Sequence, residues 1–367
     1  MTATGALNSS RLRASTIFPA LVALVVLFGI PLTTDSFQTF QFANVAVFVV
    51  AILGLNLLTG YSGQISLGNG AFMAIGGYTT ALLVARLGVP YALTIPLSGL
   101  LAAAAGVMIG IPALRLRGIY LALATFALAL AVTPVLNNFD SFTGGHAGLN
   151  LNPAAPPFGL DLSNEQWLYF LCWAVAAILF LPARLLIGSR TGRAWMAIRD
   201  GETAATANGI SISFYKTLAF GISAFYAGVA GSLQAVVLAY INPDSYSLTL
   251  SLSLLIGAVV GGLGSVWGPV LGGLVVVWLP YLAERAAGLH LGPLSFGGKP
   301  DIGFGILLLV LMYFAPAGLA GLAGRAWRWY RRLRRGSGGP ADGESEMVEP
   351  EPVETAERQV EPDQMST

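Results

Sequence analysis

Charge, cysteine and histidine are all scarce in this chain. Of its 367 residues 10% are charged and 55% hydrophobic, where a soluble domain carries about 25% charged residues. That deficit excludes a water-exposed surface over most of the chain and puts the bulk of it in lipid. The one cysteine, Cys172, lies in an apolar run and has no partner for an intrachain disulfide. Two histidines, His146 and His290, lie far apart in predicted loops, so no metal-ligand cluster forms in the sequence. No phosphate-binding loop GxxxxGK[ST] occurs; the nearest string, Gly292–Lys299, has one residue too many before its lysine, and Pro300 follows. A nucleophile elbow, an HExxH and paired carboxylates at helical spacing are also missing. The chain is therefore read as a non-enzyme with no cofactor or metal of its own.

What is present is apolar sequence of membrane-spanning length. A helix needs about 20 apolar residues to cross the hydrocarbon core. Charge-free runs of that order occupy 17–33, 42–59, 65–85, 90–111, 118–138, 166–183, 217–240, 248–283 and 302–323. The run 248–283 is too long for one span, and Gly261, Gly262 and Gly264 break it near its middle. Reading it as two spans also satisfies charge asymmetry, since cytoplasmic flanks are rich in Lys and Arg. Arg11 and Arg13 put the N-terminus inside; Arg115, Arg117, Arg184, Arg190, Arg193 and Arg199 follow by alternation, and so does the arginine cluster of residues 325–335. Only Arg86, Arg285 and Lys299 then lie on the far side. The expectation is an all-α integral membrane protein of about ten transmembrane helices with both termini cytoplasmic. Its parts are a cytoplasmic segment 1–15, a polytopic membrane domain 16–323, a basic juxtamembrane segment 324–335 and an acidic tail 336–367. The first apolar run is long for a signal peptide and lacks a clear A-x-A site after Pro31, so it reads as a retained helix. The tail, rich in Gly, Pro and Glu, is expected to be disordered.

The predicted spans hold no Asp, Glu, Lys, Arg or His in their interiors. An ionisable group there costs about 2.5–3.5 kcal/mol even on a lenient scale and is retained for use. Proton coupling is disfavoured; sodium coupling through backbone carbonyls stays open.

Glycines recur four apart at Gly106/Gly110, Gly257/Gly261 and Gly268/Gly272, a spacing that lets helices approach closely in lipid. The string GYSGQISLGNGAFMAIGGY at 60–78 differs, because it mixes glycines with Tyr61, Ser62, Gln64, Ser66 and Asn69 at the start of a span. Loose backbone at membrane depth is tolerated where it is buried in protein or lines a wet cavity. It reads either as a broken or re-entrant element beside a transport path or as a tightly packed helix entrance. GGLGSVWGPVLGG at 261–273 has the same flavour, which hints at an internal duplication.

One stretch between spans is polar and structured, Ser189–Tyr215. Gly192–Ala207 has helical composition, and Ala194, Trp195 and Ile198 share one face. Arg193, Asp200 and Glu202 are left for water or a partner, Asn208-Gly209 supplies a left-handed stop, and Lys216 marks re-entry into the membrane. Such a helix either rests on lipid headgroups or docks into a partner, with flanking charges setting its orientation.

The strings GRAWMAIRDGETAATANGI at 192–210 and YKTLAFGISAFYAGVAGSL at 215–233 resemble the cytoplasmic loop and next helix of branched-chain amino-acid ABC importer permeases of the LivM type. GLNLLTGYSGQISLGNGAFMAIGGY at 54–78, RGIYLALATFALA at 117–129 and SLLIGAVVGGLGSVWGPVLGG at 253–273 agree. The resemblance implies ABC importer permease architecture in a bacterial or archaeal inner membrane. It also implies four kinds of partner: a paralogous permease, two cytoplasmic ATPase subunits that bind ATP and Mg, an extracytoplasmic solute-binding protein and membrane lipid. No nucleic acid is involved. Arg193, Ala197, Arg199, Asp200, Glu202, Ala204, Ala205 and Gly209 would form the ATPase-coupling helix, although Glu202-Thr203-Ala204-Ala205 with Gly209 departs from the usual Glu-Ala-Ala spacing. Tyr61, Ser62, Gln64, Ser66 and Asn69 would supply polar groups to the path of leucine, isoleucine or valine. Similar permeases carry urea, short amides or other amino acids. A stand-alone carrier or channel and a membrane scaffold are the readings of another class.

Overall fold

A computed structural model describes residues 33–113, 118–152, 162–287 and 318–322, with 29, 31 and 156 as isolated positions. Helix α1 (Ser36–Leu55) runs on through a π-helical stretch, Asn56–Tyr61. There follow α2 (Asn69–Leu87), α3 (Tyr91–Ala113), α4 (Ile119–Asn138), α5 (Asn164–Gly188), the short α6 (Arg190–Asp200) and α7 (Glu202–Ala207), then α8 (Ile212–Leu238), α9 (Leu248–Gly261) and α10 (Gly268–Ala287). Seven helices among the described residues are long and apolar enough to cross a membrane, and Gly268–Leu282 adds a shorter apolar one. The chain is an all-α, multi-pass membrane protein. The run 248–283 is two helices, as its glycines require. The first and last predicted spans, 17–33 and 302–323, lie almost wholly outside the described residues, as do segments 1–15, 324–335 and 336–367; the count of ten rests on the sequence alone.

The core is built on α8 and α1, apolar helices buried on most sides, while α4 and α5 keep broad apolar faces open. In lipid, apolar residues gain nothing by leaving their surroundings, so close backbone approach holds helices together. The glycines provide it. A Cβ on Gly76 of α2 would lie 1.9 Å from the Gly228 carbonyl oxygen of α8, and one on Gly106 of α3 would lie 2.4 Å from Cβ of Ala224. The two C-terminal glycine pairs face each other: a Cβ on Gly272 would lie 2.1 Å from the Gly257 oxygen, and one on Gly261 equally close to the Gly268 oxygen. Polar side chains add cross-links. Thr80 Oγ1 hydrogen-bonds Ser98 Oγ at 2.8 Å and Ser232 Oγ at 2.6 Å, stitching α2, α3 and α8 in a dry environment.

At one end of the bundle the α4–α5 and α8–α9 connections form a cap. Strand β1 (Leu149–Asn150) pairs antiparallel with β2 (Tyr240–Ile241), Leu149 opposite Ile241, a small departure from an all-helical chain. Arg86 donates to the Ser141 carbonyl and lies over the Phe142 ring. The other end carries α6, α7 and the links 62–68 and 262–267.

Candidate coupling and path site

Helix α6 is positioned by its apolar face. Ser189 Oγ caps it by accepting from the Thr191 N–H at 3.1 Å. Ala194, Trp195 and Ile198 are buried, as their spacing predicts. Trp195 is fully enclosed, and its Nε1–H donates to the Tyr215 carbonyl at 2.9 Å, fastening α6 to the start of α8. The single helix expected over 192–207 is in fact two. Gly201, extended at φ 178°, separates α6 from α7, where glycine's backbone entropy makes a break inexpensive. Helix α7 ends at the predicted stop: Gly209 has φ 76°, its N–H reaches the Thr206 carbonyl at 2.9 Å, and the Ile210 N–H reaches the Ala205 carbonyl at 3.1 Å.

The eight loop residues singled out in the sequence divide between two faces. Arg193, Arg199, Asp200, Ala204 and Gly209 are exposed, Ala197 and Glu202 are half-buried and Ala205 is buried. Arg193 bonds the Gly188 carbonyl. Arg199 is bifunctional: Nε pairs with Asp200 Oδ1 at 3.1 Å, and Nη1 donates to the Gly60 carbonyl at 2.9 Å. Glu202, expected to face water or a partner, instead turns inward to Lys216 Nζ at 2.5 Å. The break at Gly201 makes that turn.

Segment 62–68 runs between α1 and α2 without helical structure. Gly63 adopts φ 71° directly beneath α6; a Cβ there would stand 2.8 Å from Arg199 Cγ. Ser62, Gln64 and Ser66 are buried, while Gly63 and Ile65 are open on the other edge. Ser62 Oγ donates to the Leu58 carbonyl, Gln64 Nε2 donates to Ser62 Oγ and the Lys216 carbonyl, and Ser66 Oγ accepts from the Gly68 N–H. Tyr61 is buried at the end of the π-helical stretch. The chain then enters α2 between α4, α8 and α9. The Leu67 N–H meets Thr125 Oγ1 at 2.9 Å, Asn69 Nδ2 meets Ser223 Oγ at 3.4 Å and the Gly70 N–H meets Ser251 Oγ at 3.0 Å. Ser223 lies seven residues beyond Lys216, about 10 Å along α8 at the helical rise. Asn69 Oδ1 is buried there without a hydrogen-bond partner.

The fold brings together residues far apart in sequence. Ser62, Gly63, Gln64, Arg199, Glu202 and Lys216 line one cavity of about 180 Å³. Asn69 does not line that cavity; it is buried beside Ser223. Two contributors went unrecognised in the sequence. Lys216 was only a boundary mark. Asn56, one of two amides in the run 42–59, clamps the link 262–267: its Nδ2 donates to the Ser265 carbonyl and its Oδ1 accepts from the Gly264 N–H, both at 2.8 Å. A polar amide inside an apolar run was the available signal.

Residues 39–324 match the family described as "Branched-chain amino acid transport system / permease component". The chain is 35% identical over 242 residues to the high-affinity branched-chain amino acid transport system permease protein LivM of Salmonella typhimurium, covering 60% of this chain and 57% of that protein. It thus spans less than two thirds of the length of that relative. It is 26% identical over 297 residues to LivH of Escherichia coli K12, covering 75% of this chain and 91% of LivH. A probable LivM of Methanocaldococcus jannaschii is 23% identical over 238 residues, 62% of this chain and 67% of that protein. No solved structure matches.

Proposed function

The chain belongs to the family of branched-chain amino acid transport system permease components, and from that premise we propose that it is the membrane subunit of an ATP-driven importer of leucine, isoleucine and valine. The observation that carries the reading is the α6–α7 element. It is a charged helix pair, fixed to α8 by a fully buried tryptophan, that keeps Arg193, Asp200, Ala204 and Gly209 exposed. A helix lying loosely on lipid headgroups needs no such anchor.

In this reading, residues 189–211 face the cytoplasm, in keeping with Arg184, Arg190, Arg193 and Arg199 at that end. Two separate ATPase subunits bind ATP and Mg and grip the loop; a second permease related to LivH completes the pore, and an extracytoplasmic binding protein delivers solute. Energy arrives by displacement of the loop, so the spans need no titratable charge of their own. Apolar walls suit a branched side chain. The zwitterionic end needs polar groups, and Tyr61, Ser62, Gln64, Ser66 and Asn69 border the proposed path. Ser62, Gln64 and Ser66 are hydrogen-bonded within the protein, whereas Asn69 Oδ1 lacks a partner and is the acceptor we assign to a substrate ammonium.

The test is to purify the tagged chain from its native membrane, identify what accompanies it, and reconstitute the complex in liposomes. Labelled leucine should enter with ATP and binding protein and be displaced by isoleucine and valine. Displacement by urea or short amides alone would reassign the solute. Uptake by this chain without ATPases would make it a self-contained carrier and end the reading.

A further inference from the structure

Two of the charged loop residues that an ATPase would be expected to grip are bonded back to the bundle. Arg199 reaches back to the Gly60 carbonyl at 2.9 Å, and Glu202 reaches back to Lys216 at 2.5 Å. The Lys216 side chain is only 11% exposed and that of Glu202 35%. We propose that the Glu202–Lys216 ion pair and the Arg199–Gly60 bond form an internal two-point linkage. Through it, motion of the coupling loop passes to α8 and α1, while the ATPase contacts fall on the outer surface around Arg193, Thr203, Ala204 and Ala207. These are positioning residues, and the proposal rests on the coupling reading above.

The two points lie on the two central helices. Lys216 belongs to α8, which packs against α1, α2 and α3. Gly60 belongs to the π-helical stretch of α1, whose Asn56 holds both Gly264 and Ser265 of the α9–α10 link. Gly63, with no side chain, lets α6 sit close enough for Arg199 to span the gap. A pair with one enclosed member is sensitive to loss of the other, because Lys216, 11% exposed, is then left charged and uncompensated. It tolerates an exchange of the two charges better. An ATPase contact behaves the other way: reversing Glu202 would repel its partner whatever stands at 216.

The experiment uses the complete complex in proteoliposomes and reads three quantities: ATPase subunits retained on the tagged chain, ATP hydrolysed, and solute imported per ATP. Glu202→Gln and Lys216→Met should retain ATPases at the wild-type level and keep hydrolysing, with uptake per ATP down at least tenfold. The exchange Glu202→Lys with Lys216→Glu should restore most of the coupling. Lys216→Arg, which preserves the pair, should stay near wild type and so separates loss of coupling from loss of folding. The proposal is overturned if the exchange is no better than the single variants. It is equally overturned if Glu202→Gln sheds ATPase subunits while Lys216→Met keeps them. A wild-type complex that retains no ATPase would overturn the coupling reading itself and this linkage with it.

Discussion

Replacing Trp195 with alanine should release α6 and α7 from the bundle while leaving the bundle folded. The indole is fully buried and its N–H is bonded to the Tyr215 carbonyl. Truncating a buried tryptophan to alanine costs about 3–5 kcal/mol, of which the hydrogen bond accounts for roughly 0.5–1.5 kcal/mol. The glycine and hydroxyl contacts that join α1, α2, α3 and α8 do not involve Trp195, so little of that loss should reach them. It falls on local opening of the loop instead. At about 1.4 kcal/mol per decade, the open fraction rises by roughly two to three and a half decades. Trypsin in detergent is a direct assay, because Arg193 and Arg199 both lie on α6 and are cut only when it opens. Cleavage there should accelerate by at least a hundredfold with the size-exclusion profile unchanged. Trp195→Phe keeps much of the packing and loses the N–H bond, so an increase of about fivefold is expected from a loss near 1 kcal/mol. Unchanged cleavage and unchanged uptake in Trp195→Ala would refute the reasoning, and collapse of the whole bundle at the same rate would show the loop is not a separable unit.

Gly272→Val should abolish recovery of folded protein from membranes, since its Cβ would stand 2.1 Å from the Gly257 backbone oxygen and neither backbone can give way; a normal yield by fluorescence-detected size exclusion would contradict the α9–α10 clasp. Thr80→Val strips a shared partner from Ser98 and Ser232 and should cost about 0.6–1.7 kcal/mol, the range for hydrogen bonds between membrane helices. The triple change with Ser98→Ala and Ser232→Ala should recover part of the thermal midpoint, because no hydroxyl is then left unmatched. Ala239 is left-handed at φ 51°, a conformation that costs a residue with a Cβ about 1–2 kcal/mol. Ala239→Gly should therefore raise the midpoint, and a lower one would place the strain elsewhere.

Much of this architecture was legible before any coordinates. Residue hydropathy located the helices: run 42–59 lies in α1 and its π-helical continuation, run 166–183 in α5 and nearly all of run 217–240 in α8, because apolar side chains dominate each of them. Three glycines halved 248–283. Ala194, Trp195 and Ile198 declared a buried face by spacing alone, and Asn208-Gly209 declared its end. The single-helix reading of 192–207 failed at Gly201, because helix-forming neighbours on both sides outweighed one glycine in composition but not in the folded chain.

Local rules determined which segments enter lipid, which loop stays outside and which surface of that loop is apolar, because those depend on neighbours three or four residues away. Direction was another matter. Glu202 meets Lys216 fourteen residues on, Arg199 meets Gly60 across 139 and Asn56 meets Ser265 across 209. A charge on an amphipathic helix looks the same in sequence whether it faces a partner or its own bundle. Only the packing of α6 over Gly63 and α7 against α8 decided that Glu202 turns to Lys216 and that Arg199 reaches Gly60, since the partner of a charge is chosen by proximity in space and not along the chain.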